Sequence, residues 1–334
     1  MIYVELPPET AASQQRLPFY LSMEEHLARN YDGEYFVMWQ VNPTVIYGRN
    51  QDVRAEVNIP FCIDNNIQFY RRKSGGGCVY ADRNNVMTAL ITSSTRVEET
   101  FAGYCRRVAD ALRGLGLDAE ANGRNDILIG GRKVSGNAFH HLPGRSIVHG
   151  TMLYDTDPAT MQQALTPSAG KLAAKGVSSV RSHITTIREH LPGLGIKAFK
   201  DFLRAQLSDS TMTLTQEDVA EIRRIEAPYY KPEWLYGTTV SERRGRRIRI
   251  EGCGEFAPEV TTDAQGVIRS VRLTGDFFPL ADIDAALLSR LDGVPLTRDA
   301  IASALDGIEV GEVISGLSNE QFITLLIPQH NGRD

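Results

Sequence analysis

Three consecutive glycines, preceded by positive charge, are the most distinctive feature of this 334-residue chain. They lie within residues 71–80, which read RRKSGGGCVY. Glycine lacks a Cβ, so the backbone of such a run turns sharply and its N–H groups can converge on an anion. The preceding arginines add fixed charge and forked donors. The stretch therefore predicts a cradle for a phosphate or a carboxylate, and a flexible hairpin loop with a basic edge is the alternative.

A second stretch with chemical potential is the polar hairpin of residues 123–138, GRNDILIGGRKVSGNA. A short apolar strand turns back at two glycines, and the returning strand has Lys133, Ser135 and Asn137 two residues apart. Because side chains alternate along a strand, we expect these three on one face and Val134 on the other. An ammonium, a hydroxyl and an amide on one face indicate a binding site.

The hairpin also begins with a carboxylate, Asp126, which is a candidate ligand for a divalent cation. For Lys133 the spacing leaves two interpretations open, a group that holds an oxygen at the reacting centre and an ordinary surface lysine. Together, the two stretches suit the activation of a carboxylate by ATP, since that reaction requires a protein to position two anions and to stabilise charge on the α-phosphate.

The elements that would position these residues follow from local patterns. Strands are predicted by β-rich runs at residues 35–41, 44–47, 67–70 and 86–91. Helices are predicted by apolar residues at helical spacing over residues 17–30, 98–115, 197–207 and 216–227. Asn42-Pro43 separates the first two strands, which indicates a hairpin.

The pattern changes at residues 229–232, where we place a domain boundary. Beyond it, residues 247–274 alternate like a small antiparallel sheet, and helical patterns follow. Residues 1–228 are therefore predicted to form a catalytic domain, and residues 229–334 a smaller accessory domain.

Composition places the chain among soluble globular proteins, with 42% hydrophobic and 23% charged residues and a net charge of −5. This balance gives no sign of a nucleic-acid binder. Four cysteines lie far apart, which favours free thiols in a reducing compartment. No run approaches about 18 apolar residues, so we expect no membrane association. The first residues show no signal pattern, and we expect a cytoplasmic protein.

Beyond these local patterns, nearly the whole chain resembles the lipoate–protein ligases. That family carries R-R-x-S-G-G-G-x-V-[YF]-H-D, and residues 71–82 match every fixed position except Ala81. It also carries G-R-N-D-[IL], R-K-[VI]-S-G-[NS]-A, H-G-T-[LM]-L and K-L-x-x-K-G-[IV]-x-S-V-x-S, matched by residues 123–127, 132–138, 149–153 and 171–182. The W-x-[YF]-G and G-D-F-F sequences of the bacterial accessory domain are matched by residues 234–237 and 275–278.

The resemblance implies an α+β fold shared with biotin–protein ligases: a mixed sheet flanked by helices, with a small C-terminal α/β accessory domain. It implies an ATP-dependent ligase with ATP and Mg²⁺ as cofactors. Lipoic acid (or octanoate) and MgATP would give the acyl-adenylate, which the ε-amine of a lysine on a lipoyl domain then attacks. The implied acceptors are the E2 subunits of 2-oxoacid dehydrogenases and the glycine-cleavage H protein.

The resemblance also assigns roles to residues, with Lys133 as the catalytic residue that touches both the lipoate carboxylate and the α-phosphate. The residues implied for ATP and lipoyl-adenylate are Arg72, Gly75, Gly76, Gly77, Cys78, Val79, Tyr80, Asn125, Lys133, Ser135 and Asn137. Those implied for lipoate are Arg71, Arg72, Lys133 and His149. Asp126 is implied as a magnesium ligand.

Two departures from the family pattern concern the glycine stretch, where Ala81 replaces a histidine and Asn84 a glycine. They leave the preference between lipoate and octanoate open. Two other functions remain as alternatives: an octanoyl or lipoyl acyltransferase that uses no ATP, and a non-catalytic protein that binds lipoyl domains. The matched accessory domain argues against the first, and the retained Arg72 and Lys133 argue against the second.

Overall fold

The structure is a computed structural model that describes residues 1–94, 96–123, 125–166, 183–237 and 246–327. The motif matched at residues 171–182 lies outside these ranges. Contacts divide the chain into two compact units. The first comprises Met1–Tyr47, Val53–Lys73 and Cys78–Thr238. The second comprises Gly48–Asp52, Ser74–Gly77 and Thr239–Asp334.

Both units are built from short strands and helices. In chain order, the strands are β1 (Ile2–Glu5), β2 (Tyr35–Trp39), β3 (Thr44–Tyr47), β4 (Gln68–Arg71), β5 (Val79–Ala81), β6 (Asn85–Thr92), β7 (Ala119–Ala121), β8 (Asp126–Ile129), β9 (Arg132–Leu142), β10 (Arg145–Leu153), β11 (Ser210–Thr213), β12 (Ile248–Ile250), β13 (Gly254–Thr262) and β14 (Ile268–Asp276). The helices of the first unit are α1 (Pro8–Ala11), α2 (Leu17–Asn30), α3 (Val53–Glu56), α4 (Ile59–Asp64), α5 (Val97–Gly114), α6 (Pro158–Ala164), α7 (Ile187–His190), α8 (Ile196–Leu207), α9 (Gln216–Glu226) and α10 (Pro232–Tyr236). Those of the second unit are α11 (Ile283–Ala286), α12 (Arg298–Ala304), α13 (Val310–Val313) and α14 (Asn319–Leu326).

An eight-stranded mixed sheet forms the framework of the first unit, in the order β11-β1-β2-β6-β10-β9-β8-β7. Strand β1 is parallel to both β11 and β2, and the neighbouring strands from β2 to β7 are antiparallel. Every residue of β6 is buried, as expected for a central strand covered on both faces. The mixed sheet expected from the resemblance is therefore present.

The predicted hairpin of residues 35–47 is wrong. Strand β2 lies in the large sheet between β1 and β6, whereas β3 is the centre of a separate three-stranded sheet, β4-β3-β5. All four residues of β3 are buried, which suits a central strand with partners on both sides. Pro43 thus carries the chain from one sheet to another, and β3 brings β4 and β5, on either side of the glycine run, into one sheet.

Helix α2 is buried almost all round and carries three ionisable residues into the core. Glu24, Glu25 and His26 are each 3% exposed or less. Buried polar groups of this kind need partners. Nε2 of His26 lies 2.8 Å from Oδ1 of Asp218 on α9. The carboxylates of Glu24 and Glu25 bind His149 and Lys73, respectively.

The second unit has its own apolar core beneath a small antiparallel sheet, β12-β13-β14. Phe256 and Phe277 stack with ring centroids 4.8 Å apart, and both are fully buried. The expectation of a small C-terminal α/β domain is confirmed. Within the described ranges, none of the helices combines the length and the apolar character needed to cross a bilayer.

Candidate active site

The β8–β9 hairpin contains a bulge that decides where its side chains point. Ile127 pairs with Ser135, but its neighbour Leu128 pairs with Lys133, so Val134 is an extra residue on β9. An inserted residue resets the alternation of side chains along a strand. Side chains before and after Val134 therefore no longer follow the simple two-residue spacing.

Lys133 lies on the same face of β9 as Gly136. Its Nζ is 2.8 Å from the position that a Cβ on Gly136 would occupy, so this glycine makes room for the ammonium group. Nζ is also 2.7 Å from Oδ1 of Asp126. Asp126 pairs with Gly136 across the hairpin. The side chains of Lys133 and Asp126 are 36% and 23% exposed. We call the face that carries Lys133, Gly136 and Ala138 the lysine face.

Ser135 and Asn137 lie on the opposite face, which we call the amide face. A Cβ on Gly150, the cross-strand partner of Asn137, would overlap Oδ1 of Asn137. The hydroxyl of Ser135 donates to the same Oδ1 at 3.4 Å. The Asn137 amide in turn donates to the carbonyl of Asn125 at 3.0 Å. The prediction that Lys133, Ser135 and Asn137 share a face is wrong, because the bulge at Val134 separates Lys133 from the other two.

His149 belongs to the lysine face, because it pairs with Ala138 across the two strands, whereas the next residue, Gly150, pairs with Asn137 on the amide face. Its Nδ1 lies 2.9 Å from Oε2 of Glu24, and Nε1 of Trp39 donates to Oε1 of the same carboxylate at 3.0 Å. Glu24 is 1% exposed, so the ring of His149 is held by a buried carboxylate that has a hydrogen bond to each of its oxygens.

Small residues separate Lys133 from His149 on this face. Ala138 and Ala89 are the two cross-strand neighbours of His149, and Gly136 precedes Ala138 by two residues. Two residues of strand span about 7 Å. Along β9, the lysine face therefore has an ammonium group at one end, a fixed imidazole beside Ala138 at the other, and the small residues Gly136 and Ala138 between them.

The two arginines of the glycine stretch have different surroundings. Arg72 is 5% exposed; its Nη1 donates to the carbonyl of Ile46 at 3.1 Å. Arg71 donates from Nε to the carbonyl of Trp234 at 2.7 Å, and its guanidinium lies 4.9 Å from the centre of the Tyr47 ring. Nε1 of Trp234 returns a hydrogen bond to the carbonyl of Arg71 at 3.0 Å. The predicted contact of Arg71 with lipoate stays a prediction beside this intramolecular role.

Lys73 is joined to α2 by a partly buried ion pair. Its Nζ lies 2.6 Å from Oε2 of Glu25, and Nη2 of Arg29 is 2.7 Å from Oε1. Burial by itself would raise the pKa of Glu25, but hydrogen bonds and charges from Lys73 and Arg29 outweigh it and hold the pKa below its usual range. The positive charge just before the glycine run is thus partly neutralised within the fold.

The glycine run itself belongs to the second unit, together with Gly48–Asp52. The N–H of Gly76 donates to the carbonyl of Phe277 at 2.9 Å. Gly75 and Gly77 lie against the same segment, since a Cβ on Gly75 would overlap the ring of Pro279, and one on Gly77 would be 2.7 Å from Oδ2 of Asp276. The three predicted anion-binding glycines therefore all contact residues 276–279.

The residues after the glycines enter β5 and return to the first unit. Cys78 packs against the cluster that surrounds the small sheet, as expected for a small residue at the start of a strand. Tyr80 is 4% exposed, and the amide of Asn85 donates to its carbonyl at 3.1 Å. Among residues 78–80, Cys78 and Val79 are partly exposed and Tyr80 is buried, so the side chains of Cys78 and Val79 are the more accessible ones.

The predicted magnesium ligand, Asp126, is an isolated carboxylate in metal-binding terms. Within the described ranges there is no group of three or more His, Cys, Asp or Glu residues arranged to hold a metal ion. A carboxylate paired with Lys133 suits a cation that brings most of its own oxygen ligands, as Mg²⁺ does when it is bound to phosphates.

Sequence reasoning missed the partners of the candidate residues. Glu24 binds His149 and Trp39 binds Glu24, but the two residues lie 125 and 110 positions away from His149 in the chain. A glutamate next to the apolar stripe of α2 is the one sequence signal for a buried carboxylate. Asp276 stood out only as part of the G-D-F-F sequence.

Comparison with known proteins identifies the family of this chain. Residues 17–208 match the family model described as lipoyl protein ligase A/B catalytic domain, and residues 246–326 match the one described as bacterial lipoate protein ligase C-terminus. Lipoate–protein ligase 1 of Staphylococcus aureus is 31% identical over 92% of this chain and 95% of its own length. Lipoate-protein ligase LplJ of Bacillus subtilis is 30% identical over the same shares.

Solved structures share the fold at lower identity. LipL1 of P. falciparum, in complex with lipoate, superposes with a TM-score of 0.75 over 97% of both chains at 17% identity. A lipoate-protein ligase A bound with ATP has a TM-score of 0.60, covers 71% of this chain and 98% of its own, and is 23% identical.

Proposed function

Since the chain belongs to the lipoate–protein ligase family, we propose that it activates lipoate with ATP and transfers the lipoyl group to a lysine of a lipoyl domain. The observation that carries the proposal is the lysine face of β9. It places the ammonium of Lys133 and the fixed imidazole of His149 at the two ends of a stretch of small residues. That arrangement suits a molecule with an anionic head and an apolar body.

In the first step, an oxygen of the lipoate carboxylate attacks the α-phosphorus of ATP, and the bond to the leaving pyrophosphate breaks. Both reactants are anions, so they repel each other until positive charge is placed between them. Lys133 supplies that charge, and Gly136 allows its Nζ to approach the strand. The ammonium stabilises the negative charge that grows on the phosphoryl oxygens as the bond forms.

The acyl chain would run from Lys133 towards His149 across Gly136 and Ala138. The Glu24 carboxylate, itself held by the Trp39 indole, binds the imidazole, so the end of the acyl chain would meet a fixed polar group. The dithiolane of lipoate would occupy this end of the lysine face.

Arg72, Asn125 and the residues of the glycine stretch, Gly75 to Tyr80, are proposed to hold the nucleotide, on the strength of their motif match. Asp126 is the proposed magnesium ligand, sharing the ion with phosphate oxygens. Magnesium would neutralise the phosphate charge and polarise the α-phosphorus. Ser135 and Asn137 are proposed to hold in place the strand that carries Lys133, because their side chains lie on the other face of that strand.

In the second step, the ε-amine of the acceptor lysine attacks the acyl carbon, the bond to AMP breaks, and the amine loses a proton. Lipoyl domains of 2-oxoacid dehydrogenase E2 subunits and the glycine-cleavage H protein are the proposed acceptors. The cysteines are thiols rather than disulfides in the structure, which fits the reducing cytoplasm that we propose as the location.

The proposal is tested by incubating a purified lipoyl domain with the full-length protein, lipoate and MgATP, followed by intact-mass measurement. We expect the acceptor to gain one lipoyl group and AMP to accumulate. Omitting ATP should leave the acceptor unmodified. Modification without ATP, from an octanoylated carrier protein, would identify an acyltransferase instead. Binding of the lipoyl domain without pyrophosphate release would identify a non-catalytic binding protein.

A further inference from the structure

Each of the three glycines of the loop contacts one short segment of the second unit, residues 276–279. The Gly76 N–H donates to the Phe277 carbonyl at 2.9 Å. The Phe277 carbonyl also lies 2.5 Å from the position of a Cβ on Gly75. These approaches are possible only because the loop residues have no side chains.

The segment also brings a carboxylate to the loop. Oδ2 of Asp276 is 2.7 Å, and Oδ1 3.3 Å, from the position that a Cβ on Gly77 would occupy, so the whole carboxylate lies over this residue. A carboxylate presents the same kind of charged oxygen as a phosphate, and a run of glycine amides favours both. The chain thus places an anion of its own at the turn proposed to bind a nucleotide.

Further backbone hydrogen bonds attach the segment to the loops beside it. The N–H of Gly275 donates to the carbonyl of Asn50 at 2.8 Å, and the N–H of Arg49 donates to the carbonyl of Ser74 at 2.9 Å. The carbonyl of Gly76 lies directly over Gly48, where a Cβ would overlap it. Residues 48–52, 74–77 and 275–279 therefore form one hydrogen-bonded cluster.

We propose that residues 276–279 act as an internal competitor of the nucleotide, with Asp276 and the Phe277 carbonyl occupying the glycine loop until ATP displaces them. The proposal rests on the proposed function, in which this loop binds ATP. A nucleotide that accepts a hydrogen bond from the Gly76 N–H must first displace the Phe277 carbonyl from that N–H. Binding is therefore coupled to release of the segment, and the apparent affinity falls with the fraction of molecules whose loop is occupied.

The test uses the full-length protein and a nucleotide that cannot react, adenosine 5′-(α,β-methylene)triphosphate with Mg²⁺. Asp276→Asn keeps the size of the side chain and removes its charge. If nine molecules in ten have the loop occupied, releasing it raises the apparent affinity by about tenfold. By calorimetry, we therefore expect the dissociation constant of Asp276→Asn for the analogue to be lower than that of the wild type, by up to about tenfold. The matched control, Asp292→Asn, removes an exposed carboxylate of the same unit and should leave the affinity unchanged.

Hydrogen exchange gives a second readout, independent of catalysis. The analogue should accelerate exchange in peptides that contain residues 274–279, because Gly275 loses its bond to Asn50 when the segment leaves. The proposal requires both results. Equal or weaker binding by Asp276→Asn, or unchanged or slower exchange in those peptides, overturns it.

The two proposals fail in different ways. If the wild-type protein releases no pyrophosphate from lipoate and ATP, the proposed function fails, and the competitor proposal falls with it. If the wild-type protein does release pyrophosphate but Asp276→Asn binds the analogue no better, only the competitor proposal fails. Thermal unfolding of each variant confirms that the fold is intact.

Discussion

On the lysine face of β9, a partly exposed ammonium group sits over a glycine beside a single carboxylate. On the amide face, two residues further along, a serine and an asparagine are 1% and 4% exposed and bond to each other and to the backbone. The two faces belong to one strand and one motif. The lysine face leaves its charged group room to meet a ligand, whereas the amide face uses its polar groups to hold the strand in place.

The difference indicates that one motif can combine a residue proposed for chemistry with residues that support the strand. Asn137 donates two hydrogen bonds to the Asn125 carbonyl, since its backbone N–H also donates to that oxygen at 2.8 Å. These bonds fix the segment before β8 against β9. The position of Asp126, the next residue in the chain, therefore depends on the amide face, although its carboxylate acts on the lysine face.

The largest effect that separates the faces is expected from Lys133→Ala. Removing the group that we propose to stabilise charge in the transition state should slow pyrophosphate release by about 10³-fold. The urea unfolding midpoint should change little, because the side chain is 36% exposed. Lys197→Ala is the matched control, since that lysine is 88% exposed on α8. Wild-type rates of pyrophosphate release in Lys133→Ala would refute the catalytic assignment.

Gly150→Ala should act on the amide face and on stability. The new methyl group would overlap Oδ1 of Asn137, and overpacking of this kind costs about 2 kcal/mol. We expect a lower urea midpoint, with an unchanged KM for lipoate in the folded fraction.

The control for that substitution is Gly103→Ala on α5, where a Cβ meets nothing within 4 Å. Alanine should stabilise this helix by up to about 1 kcal/mol. If both variants shifted the midpoint in the same direction, the close packing of Asn137 over Gly150 would not govern stability.

Asp126→Asn distinguishes two roles of this carboxylate on the lysine face. Losing its charge should slow pyrophosphate release by about tenfold, the effect of about 1.4 kcal/mol in the barrier. If Asp126 binds magnesium, the concentration of Mg²⁺ for half-maximal rate should also rise. If the magnesium dependence were unchanged, the role of Asp126 would be to hold Lys133 and not to bind the ion. Asp118→Asn, an exposed carboxylate before β7, is the control.

The smallest expected effect concerns the support of the glycine stretch by Glu25. Its pKa is lower in the folded protein than the ordinary value of 4.5, because Lys73 and Arg29 outweigh the effect of burial. The unfolded chain therefore binds more protons, and the contribution of Glu25 to stability, present above that value, is lost as the pH falls through the folded pKa.

Urea unfolding of wild type and Glu25→Gln between about pH 6 and about pH 3.5 checks this dependence. We expect the stability difference between the two proteins to shrink as the pH falls. A difference that stays constant over this range would show that the ion pair with Lys73 contributes no net stability.

Much of the framework could be predicted from local patterns. The predicted helix over residues 17–30 is α2 (Leu17–Asn30), and the one over 98–115 is α5 (Val97–Gly114), because their apolar residues recur at helical spacing. The hairpin at Asn42-Pro43 failed because a turn signal does not say which sheet the next strand joins. That choice depends on β4 and β5, which follow more than twenty residues later.

The resemblance selects the candidate residues, and their roles stay a prediction, whereas their geometry could not be predicted from the sequence. Nothing in the spacing of Lys133, Ser135 and Asn137 marks Val134 as an inserted residue, so alternation placed the three together. The bulge arises from pairing with β8, which local spacing does not encode. In the same way, the support of His149 by Glu24 required knowing that α2 packs against β10.

The bond network of Arg71 sets where this gene should be divided if its two halves are to be produced as separate polypeptides. Arg71 and Tyr47 both donate to the backbone of α10, and Trp234 and Leu235 pack against the core of the first unit. A reading frame stopped at codon 228 would discard those acceptors and leave a buried guanidinium with fewer hydrogen bonds. A stop after codon 237 keeps them, so that longer fragment is the one to express.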